Sequence, residues 1–236
     1  MKPVARRAAP GRGLAIGGLV RMSASDWPGM LTAVVFCQGC AWRCRYCHNP
    51  HLVPFGSTGS GTTWERIRDW LPRRRGLLDA VVFSGGEPTC QPGLPAAMRE
   101  VSELGFRVGL HTGGPIPDAL AAVLPLVDWV GFDFKAPFGA YERVTGRDHG
   151  RLAEESFRLI RDSGVAYEVR TTWHPALLSE GDLDAMADTL AAVGRSDWVI
   201  QRFRPEGCAD AELCAAPVGD VPAFAGRHPG LRLSVR

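Results

Sequence analysis

Six short hydrophobic runs, rich in β-branched and aromatic residues, recur along the chain. Each run is nearly continuous in apolar residues, which is typical of strands that are covered on both faces in a parallel sheet. The runs predict strands over residues 32–37, 80–84, 107–112, 128–135, 166–172 and 198–203. The alternating stretch 231–235 is compatible with a short additional edge strand.

Segments with a helical spacing of apolar residues lie between most of these runs. They predict helices over 64–71, 93–104, 116–124, 151–163 and 180–193. Gly105 and Gly164 directly follow two of these segments, where a glycine often ends a helix. Six strand–helix steps with short connections predict a parallel sheet with right-handed crossovers. Six predicted strands are fewer than the eight of a closed TIM barrel. We therefore expect an α/β fold in which a single domain forms an incomplete (β/α)6 TIM-like barrel.

The composition suits one globular domain, since the 236 residues are 45% hydrophobic and 22% charged. Four basic side chains and no acidic one lie within residues 1–13, which predicts a disordered basic tail ahead of a domain over 14–236. Outside this tail, 23 of the 27 basic residues remain against 25 acidic ones, which argues against nucleic acid as a partner. No apolar stretch approaches the ~18 residues that a membrane span requires, so no membrane partner is expected.

Seven cysteines are present, and Cys40, Cys44 and Cys47 crowd into one short loop. An odd, clustered set of cysteines indicates metal binding in a reducing compartment, so we expect a cytoplasmic location. Three thiolates can each hold one corner of a [4Fe–4S] cube, which leaves the fourth iron without a protein ligand. Such an iron can bind a substrate or cofactor, whereas a fully ligated cube is best suited to carrying electrons.

Two other metal sites compete with this interpretation of the cysteine loop. The first is a zinc site, although structural zinc sites usually split their ligands into two separated pairs. The second is a fully ligated cluster in which Cys37 supplies the fourth thiolate. Cys37 ends an apolar strand, however, and is expected to behave as a small buried hydrophobe.

Polar residues end or follow the predicted strands at their carboxyl edge, where the active site of a barrel lies. The turn Gly85-Gly86-Glu87 follows the second strand, and its backbone can approach a ligand closely because the glycines carry no Cβ. Glu87 and nearby carbonyl groups could accept hydrogen bonds from an ammonium group. The further candidates at this edge are His111 and Thr112 on the third strand, Asp133 and Lys135 on the fourth, Arg170 on the fifth and Gln201 on the sixth.

Strand alternation separates the fourth strand into two faces. Phe132 and Phe134 share the face suited to packing under helices, whereas Asp133 and Lys135 share the face that points into the barrel. Inward-facing charges need partners, because an uncompensated buried charge costs several kcal/mol. The partner is either a bound ligand, which we favour, or a structural ion pair of Asp133 with Lys135 or Arg170.

These residues together resemble the motifs of a known superfamily. Cys40, Cys44 and Cys47 with Tyr46 between them, then His48-Asn49-Pro50 and Gly85-Gly86-Glu87-Pro88, are similar to the radical S-adenosylmethionine (SAM) superfamily. Within it the chain resembles the glycyl-radical-enzyme activating proteins, and most of all those of anaerobic ribonucleoside-triphosphate reductase. Further similar segments lie at 133–137, 144–146, 168–172 and 201–203.

The resemblance implies the following chemistry and partners. The three cysteines hold one [4Fe–4S] cluster, SAM chelates the open iron, and reductive cleavage of SAM releases a 5′-deoxyadenosyl radical. That radical removes a Cα hydrogen from one glycine of a partner glycyl-radical enzyme, and a flavodoxin or ferredoxin-type protein supplies the electron. By the same resemblance the contacts to SAM come from Tyr46 near the adenine, Gly85, Gly86 and Glu87 near the amino group, Lys135 near the carboxylate, and Thr112, Asp133 and Arg170 around the remaining pocket.

One position departs from the resemblance. Relatives commonly carry an acid where this chain has His111, and in some activases that acid joins the counterpart of Asp133 in a monovalent-cation site. We therefore do not predict such a cation here. Two alternative functions stay open: radical SAM chemistry on a small molecule, as in deazapurine synthesis, and a non-enzymatic iron–sulfur or zinc module.

Overall fold

The computed structural model describes residues 13–56, 61–195, 197–222, 228 and 230–236. The basic tail predicted over 1–13 lies outside these residues, apart from Gly13. Along the described part of the chain, no helix is both long enough and apolar enough to cross a membrane.

One eight-stranded sheet organises the fold, and its strands lie side by side in the order of the sequence. The first strand is antiparallel to the second, and all later neighbours are parallel. The first and last strands are the two edges, so the sheet stays open and the predicted incomplete barrel is confirmed. The strands are β1 (Ile16–Ser23), β2 (Thr32–Cys37), β3 (Ala80–Gly85), β4 (Arg107–Thr112), β5 (Trp129–Asp133), β6 (Ala166–Trp173), β7 (Asp197–Arg202) and β8 (Arg232–Val235).

The sequence pattern did not indicate β1. Two glycines near its start and the exposed side chains of Val20 and Met22 interrupt any apolar run, as is common in an edge strand that faces solvent. The alternating stretch at the C-terminal end does form β8, which is the last strand of the sheet and its second edge.

Five longer helices cover the outer face, close to the predicted positions. Two further short ones, over 141–145 and 211–215, were not predicted. Local capping explains where some begin: Ser179 and Asp182 form a capping box at the start of the helix over 180–192, and Thr63 accepts a hydrogen bond from the backbone of the helix over 64–70. The helices of the described residues are α1 (Trp64–Trp70), α2 (Leu94–Glu103), α3 (Pro117–Val123), α4 (Tyr141–Thr145), α5 (Gly150–Asp162), α6 (Glu180–Ala192) and α7 (Ala211–Ala215).

Two separate hydrophobic clusters fill the fold. The larger one lies between the sheet and the outer helices. The smaller one lies inside the barrel and is built around Trp27 and Trp129, whose rings stack with centroids 5.3 Å apart. Gly109 leaves room for this stack, because a Cβ there would lie 2.9 Å from the Trp27 ring. The tryptophan pair therefore fills the interior beside the amino ends of the strands, and the polar interior begins above it.

Candidate active site

A cavity of about 260 Å³ opens at the carboxyl ends of the strands. It brings together every residue that the sequence singled out for cofactor or metal binding. These are Cys40, Cys44, Tyr46, Cys47, Gly85, Gly86, Glu87, Thr112, Asp133, Lys135 and Arg170. Asp26 and Trp42 also line the cavity and were not singled out from the sequence, whereas Thr172, a further lining residue, ends the similar segment 168–172. Trp42 and Thr172 lie beside motif residues, whereas Asp26 reaches the cavity from the distant β1–β2 connection.

The cysteine loop is fixed by backbone hydrogen bonds to the end of α4. The amide groups of Arg43 and Arg45 donate to the carbonyl groups of Thr145 and Val144 at 2.9 and 3.0 Å. Within the loop, the Cys47 amide donates to the Cys44 carbonyl at 3.0 Å. The loop is thus held as a formed structural element, with its thiols turned toward the cavity.

Burial keeps the three thiols protonated in the absence of a metal. The Trp42 amide donates to Cys40 Sγ at 3.4 Å. Burial raises the pKa of Cys47, and a hydrogen bond from the Asn49 backbone opposes that rise. Burial raises the pKa of Cys40 to about 12 and that of Cys44 to about 11, although Lys135 acts in the opposite direction on both. At neutral pH these thiols keep their protons until a metal cation displaces them, as metal binding requires.

The geometry distinguishes between the three metal sites considered. Across the described residues, no three His, Cys, Asp or Glu side chains are arranged to hold a single metal ion, which argues against a preformed zinc site. Cys37 is completely buried at the end of β2 and does not line the cavity. Among the described residues, the cavity presents three thiols, which fits a cluster with three protein ligands.

Glu87 is held entirely by the protein. Its carboxylate accepts hydrogen bonds from the Thr89 amide and hydroxyl at 3.1 and 2.7 Å, from the Thr112 hydroxyl at 2.8 Å and from the Gly113 amide at 3.1 Å. Burial raises the pKa of Glu87, and these hydrogen bonds oppose that rise. The side chain therefore joins the loops after β3 and β4.

The two glycines of the same turn allow its backbone to lie directly against the backbone at the start of the cysteine loop. The Gly86 amide donates to the Cys37 carbonyl, and the Glu87 amide donates to the Gly39 carbonyl, both at 2.9 Å. A Cβ on Gly85 would lie 2.4 Å from the Cys37 nitrogen, and one on Gly86 would lie 2.3 Å from the Gly39 oxygen. The turn therefore packs directly against the start of the cysteine loop and fixes its position.

Four charged or titratable side chains form a connected group on the opposite wall, which we call the charged cluster: His111, Asp133, Lys135 and Arg170. Arg170 Nη2 lies 2.8 Å from Asp133 Oδ1, and Lys135 Nζ lies 3.3 Å from Asp133 Oδ2. Arg170 Nη1 lies 3.0 Å from His111 Nε2. Both structural ion pairs weighed from the sequence thus exist, and Lys135 still lines the cavity.

The protonation states in this cluster follow from burial and charge. Burial and the Arg170 guanidinium lower the pKa of His111 to about 3, so the ring is neutral at pH 7. Burial alone would raise the pKa of Asp133, but Lys135 and Arg170 outweigh it and lower that pKa to about 2. Burial opposes the charge of Lys135, but the Tyr46 oxygen and the Asp133 carboxylate hold its pKa well above the ordinary range. The wall therefore carries two cations and one anion.

These shifts predict acid-sensitive folding. The pKa of His111 falls from an unfolded value near 6.5 to about 3 in the folded protein. Between these values the unfolded state binds the additional proton, so His111 contributes full stability above pH 6.5 and loses it as the pH falls. We expect the free energy of unfolding to drop by about 2 kcal/mol more in the wild type than in His111→Gln between pH 6.5 and 4.5. Urea unfolding at both pH values measures this; equal drops in the two proteins would contradict it.

The comparison with known families agrees with the geometry. Residues 34–191 match the model of the radical SAM superfamily. The chain belongs to the radical SAM superfamily. A protein of Methanocaldococcus jannaschii named as a glycyl-radical enzyme activating enzyme is 32% identical over 214 residues, which cover 86% of this chain and 85% of the relative. The pyruvate formate-lyase-activating enzyme of Clostridium pasteurianum is 31% identical over 168 residues, 69% of each chain.

Solved structures share the fold at low sequence identity. QueE from Escherichia coli has a TM-score of 0.58 and 15% identity, over 95% of this chain and 94% of QueE. SuiB from Streptococcus suis bound to S-adenosylmethionine has a TM-score of 0.62 and 10% identity, and the match covers 84% of this chain but 48% of SuiB. At these identities the likeness concerns the barrel alone.

Membership of this superfamily defines the cofactors and the class of enzyme. The chain is a radical SAM enzyme of the glycyl-radical-enzyme activating type, and it uses a [4Fe–4S] cluster and SAM. The two relatives are named for the activation of a glycyl-radical enzyme and of pyruvate formate-lyase. The interpretation as a non-enzymatic iron–sulfur or zinc module is therefore wrong.

Proposed function

We propose that this enzyme activates an anaerobic ribonucleoside-triphosphate reductase by removing a hydrogen atom from one glycine of that protein. The observation that carries the proposal is the convergence of three thiols, a cationic wall and a glycine turn on one cavity. When bound, the cluster supplies the electron that cleaves the carbon–sulfur bond of SAM, which yields the species that takes the hydrogen atom. The protein holds the cluster and SAM in position, surrounds them with charged side chains and shields them from solvent.

Each side chain of the cavity has a proposed task. Cys40, Cys44 and Cys47 hold the cluster, and Lys135 offers its ammonium group to the SAM carboxylate. Tyr46 lines the same cavity, which supports a contact between its ring and the adenine. Gly85, Gly86 and Glu87 surround the amino group of SAM, and Thr112 and Arg170 complete the pocket.

Asp133 acts mainly through its neighbours in this proposal. It pairs with both Lys135 and Arg170, so it orients two cations that face the cavity. The pair also lowers the cost of burying these charges, because each has a partner at short distance. A flavodoxin or ferredoxin-type protein is the proposed electron donor. The proposed location is the cytoplasm, which agrees with the free thiols found at all seven cysteines.

The open form of the site supports a protein substrate over a small molecule. A groove of about 360 Å³ shares residues with the active-site cavity and leads away from it. A small-molecule enzyme of the deazapurine-synthase kind would be better served by a pocket closed to the outside. The groove gives a polypeptide segment a path to the reacting centre.

Electron paramagnetic resonance tests the proposed function. Anaerobically reconstituted and reduced enzyme, given SAM and the reductase, should produce a glycyl-radical doublet on the reductase because its glycine loses a Cα hydrogen. Omission of SAM is the control and should leave no doublet. If SAM is cleaved but no doublet forms on the reductase, the proposed partner is wrong.

A further inference from the structure

The active-site cavity and the adjoining groove meet in a short passage, which we call the corridor. The two cavities share five lining residues, namely Asp26, His48, Arg170, Thr172 and Gln201. Beyond the corridor the groove is lined by Arg204 and Arg236, which are both exposed. The corridor is thus the connection between the SAM pocket and the surface of the protein.

Three of the five corridor residues already make polar contacts with other groups of the protein. Arg170 pairs with Asp133, the main-chain carbonyl of Asp26 lies 2.7 Å from His111 Nε2, and His48 Nε2 lies 2.9 Å from the carbonyl of Arg204. The remaining two are different. Within the part of the chain that the structure describes, the Thr172 hydroxyl and the Gln201 carboxamide make no hydrogen bond.

The sheet places these two side chains together. Thr172 on β6 and Gln201 on β7 are direct partners in the parallel register. Both are half-buried and line the cavity, whereas their neighbours Thr171 and Ile200 are buried on the opposite face of the sheet. A carboxamide and a hydroxyl that are half-removed from water without a partner are ready to bind a polar ligand.

The chemistry of the pair matches a peptide group. A glutamine side chain carries one acceptor and one donor group in a plane, and a threonine hydroxyl can act in either role. A peptide unit presents the complementary C=O and N–H. We propose that Gln201 and Thr172 bind the main chain of the polypeptide segment that carries the target glycine, beside that glycine. This rests on the proposed function, and it adds the residues that recognise the substrate.

The dimensions favour an extended segment as the occupant. A folded surface cannot enter a cavity of about 260 Å³, whereas a single extended strand can cross the corridor and leave along the groove. Recognition of the main chain also suits a glycine, because this residue offers no side chain for a pocket to select. The corridor therefore positions the Cα of the glycine by the peptide groups on either side of it.

Backbone N-methylation combined with substitution tests this proposal. The probes are synthetic peptides of about a dozen residues that span the target glycine of the reductase, unmodified or methylated at one of the amides nearest the glycine. Their binding to the SAM-loaded holoenzyme is measured by fluorescence anisotropy. In the wild type, methylation at one position should weaken binding roughly tenfold, since it removes one buried hydrogen bond. In Gln201→Leu the unmodified peptide should bind roughly tenfold more weakly, and the same methylation should have no further effect.

Matched variants separate a direct contact from a general disturbance. Gln201→Glu keeps the shape of the side chain but loses its donor, so it should lose binding without loss of fold. Thr172→Val should weaken peptide binding, whereas Thr189→Val on α6, whose hydroxyl bonds the Ala185 carbonyl, should not. If methylation at each amide is equally harmful in the wild type and in Gln201→Leu, the corridor proposal is wrong. A wild type that binds the peptide in this way but forms no glycyl radical on the reductase would instead overturn the proposed function.

Discussion

Replacement of Cys44 by serine should remove the cluster and all activity. The Cys44 side chain lines the cavity between Cys40 and Cys47, and a hydroxyl is a far poorer ligand for iron than a thiolate. With two ligands left, the cluster loses one of its three protein-held corners. We expect iron content and the visible absorption of the cluster to fall to background after anaerobic reconstitution. SAM cleavage should drop by at least about a thousandfold, a loss of roughly 4 kcal/mol in transition-state stabilisation.

Two other cysteines provide the controls for this prediction. Cys214→Ser changes a thiol that does not line the cavity and should keep the full iron content. Cys37→Ala tests directly whether Cys37 is a fourth ligand of the cluster. Cys37 is buried in the core, and its substitution by the slightly smaller alanine should lower the free energy of unfolding only modestly. A Cys37→Ala protein that folds but cannot hold the cluster would contradict the assignment of three ligands and an open iron.

Substitution of Gly85 by alanine should have the largest effect on folding. Gly85 has a φ of +112°, which is unfavourable for an alanine, and its Cβ would lie 2.4 Å from the main-chain nitrogen of Cys37. A contact with backbone in a central strand cannot be relieved by a rotamer change. We expect a loss of at least about 3 kcal/mol, from backbone strain and overpacking together. For a domain of this size, thermal unfolding should shift downward by about 10 °C.

Gly29→Ala isolates the contribution of the backbone angle. Gly29 has a φ of +78°, yet no atom lies within 4 Å of its ideal Cβ position. Its substitution should cost about 1 kcal/mol, which is the strain without the clash. Equal losses in the two variants, measured by urea unfolding, would show that the contact between the turn and the cysteine loop is not what makes Gly85 necessary.

The strand order could be predicted from sequence because it depends on local patterns. Each of the six central strands is a largely apolar run rich in β-branched and aromatic residues, and the connections between them follow the usual rules of parallel sheets. The same logic placed the candidate site, since the ends of parallel strands meet at one edge. The edge strand β1 has neither a continuous apolar run nor a strong turn signal, so nothing local distinguished it.

The details of the site depend on contacts between distant residues and were not predictable in this way. Glu87 was expected to face a ligand, but its carboxylate accepts hydrogen bonds from Thr89 close by and from Thr112 and Gly113, which lie 25 and 26 positions further along the chain. Trp27 lies outside the predicted strands and helices, and its stack with Trp129 exists only once the barrel has formed. Alternation did identify the inward face of β5, because that rule needs only the strand itself.

The stacked tryptophans inside the barrel close the active-site cavity at the amino ends of the strands. Among the described residues, the Trp27–Trp129 stack fills the interior at the amino ends of the strands, so the active-site cavity opens at the rim and along the adjoining groove. A polypeptide bound in the proposed corridor would cover that groove, so that SAM and its products would have the rim of the barrel as their remaining route.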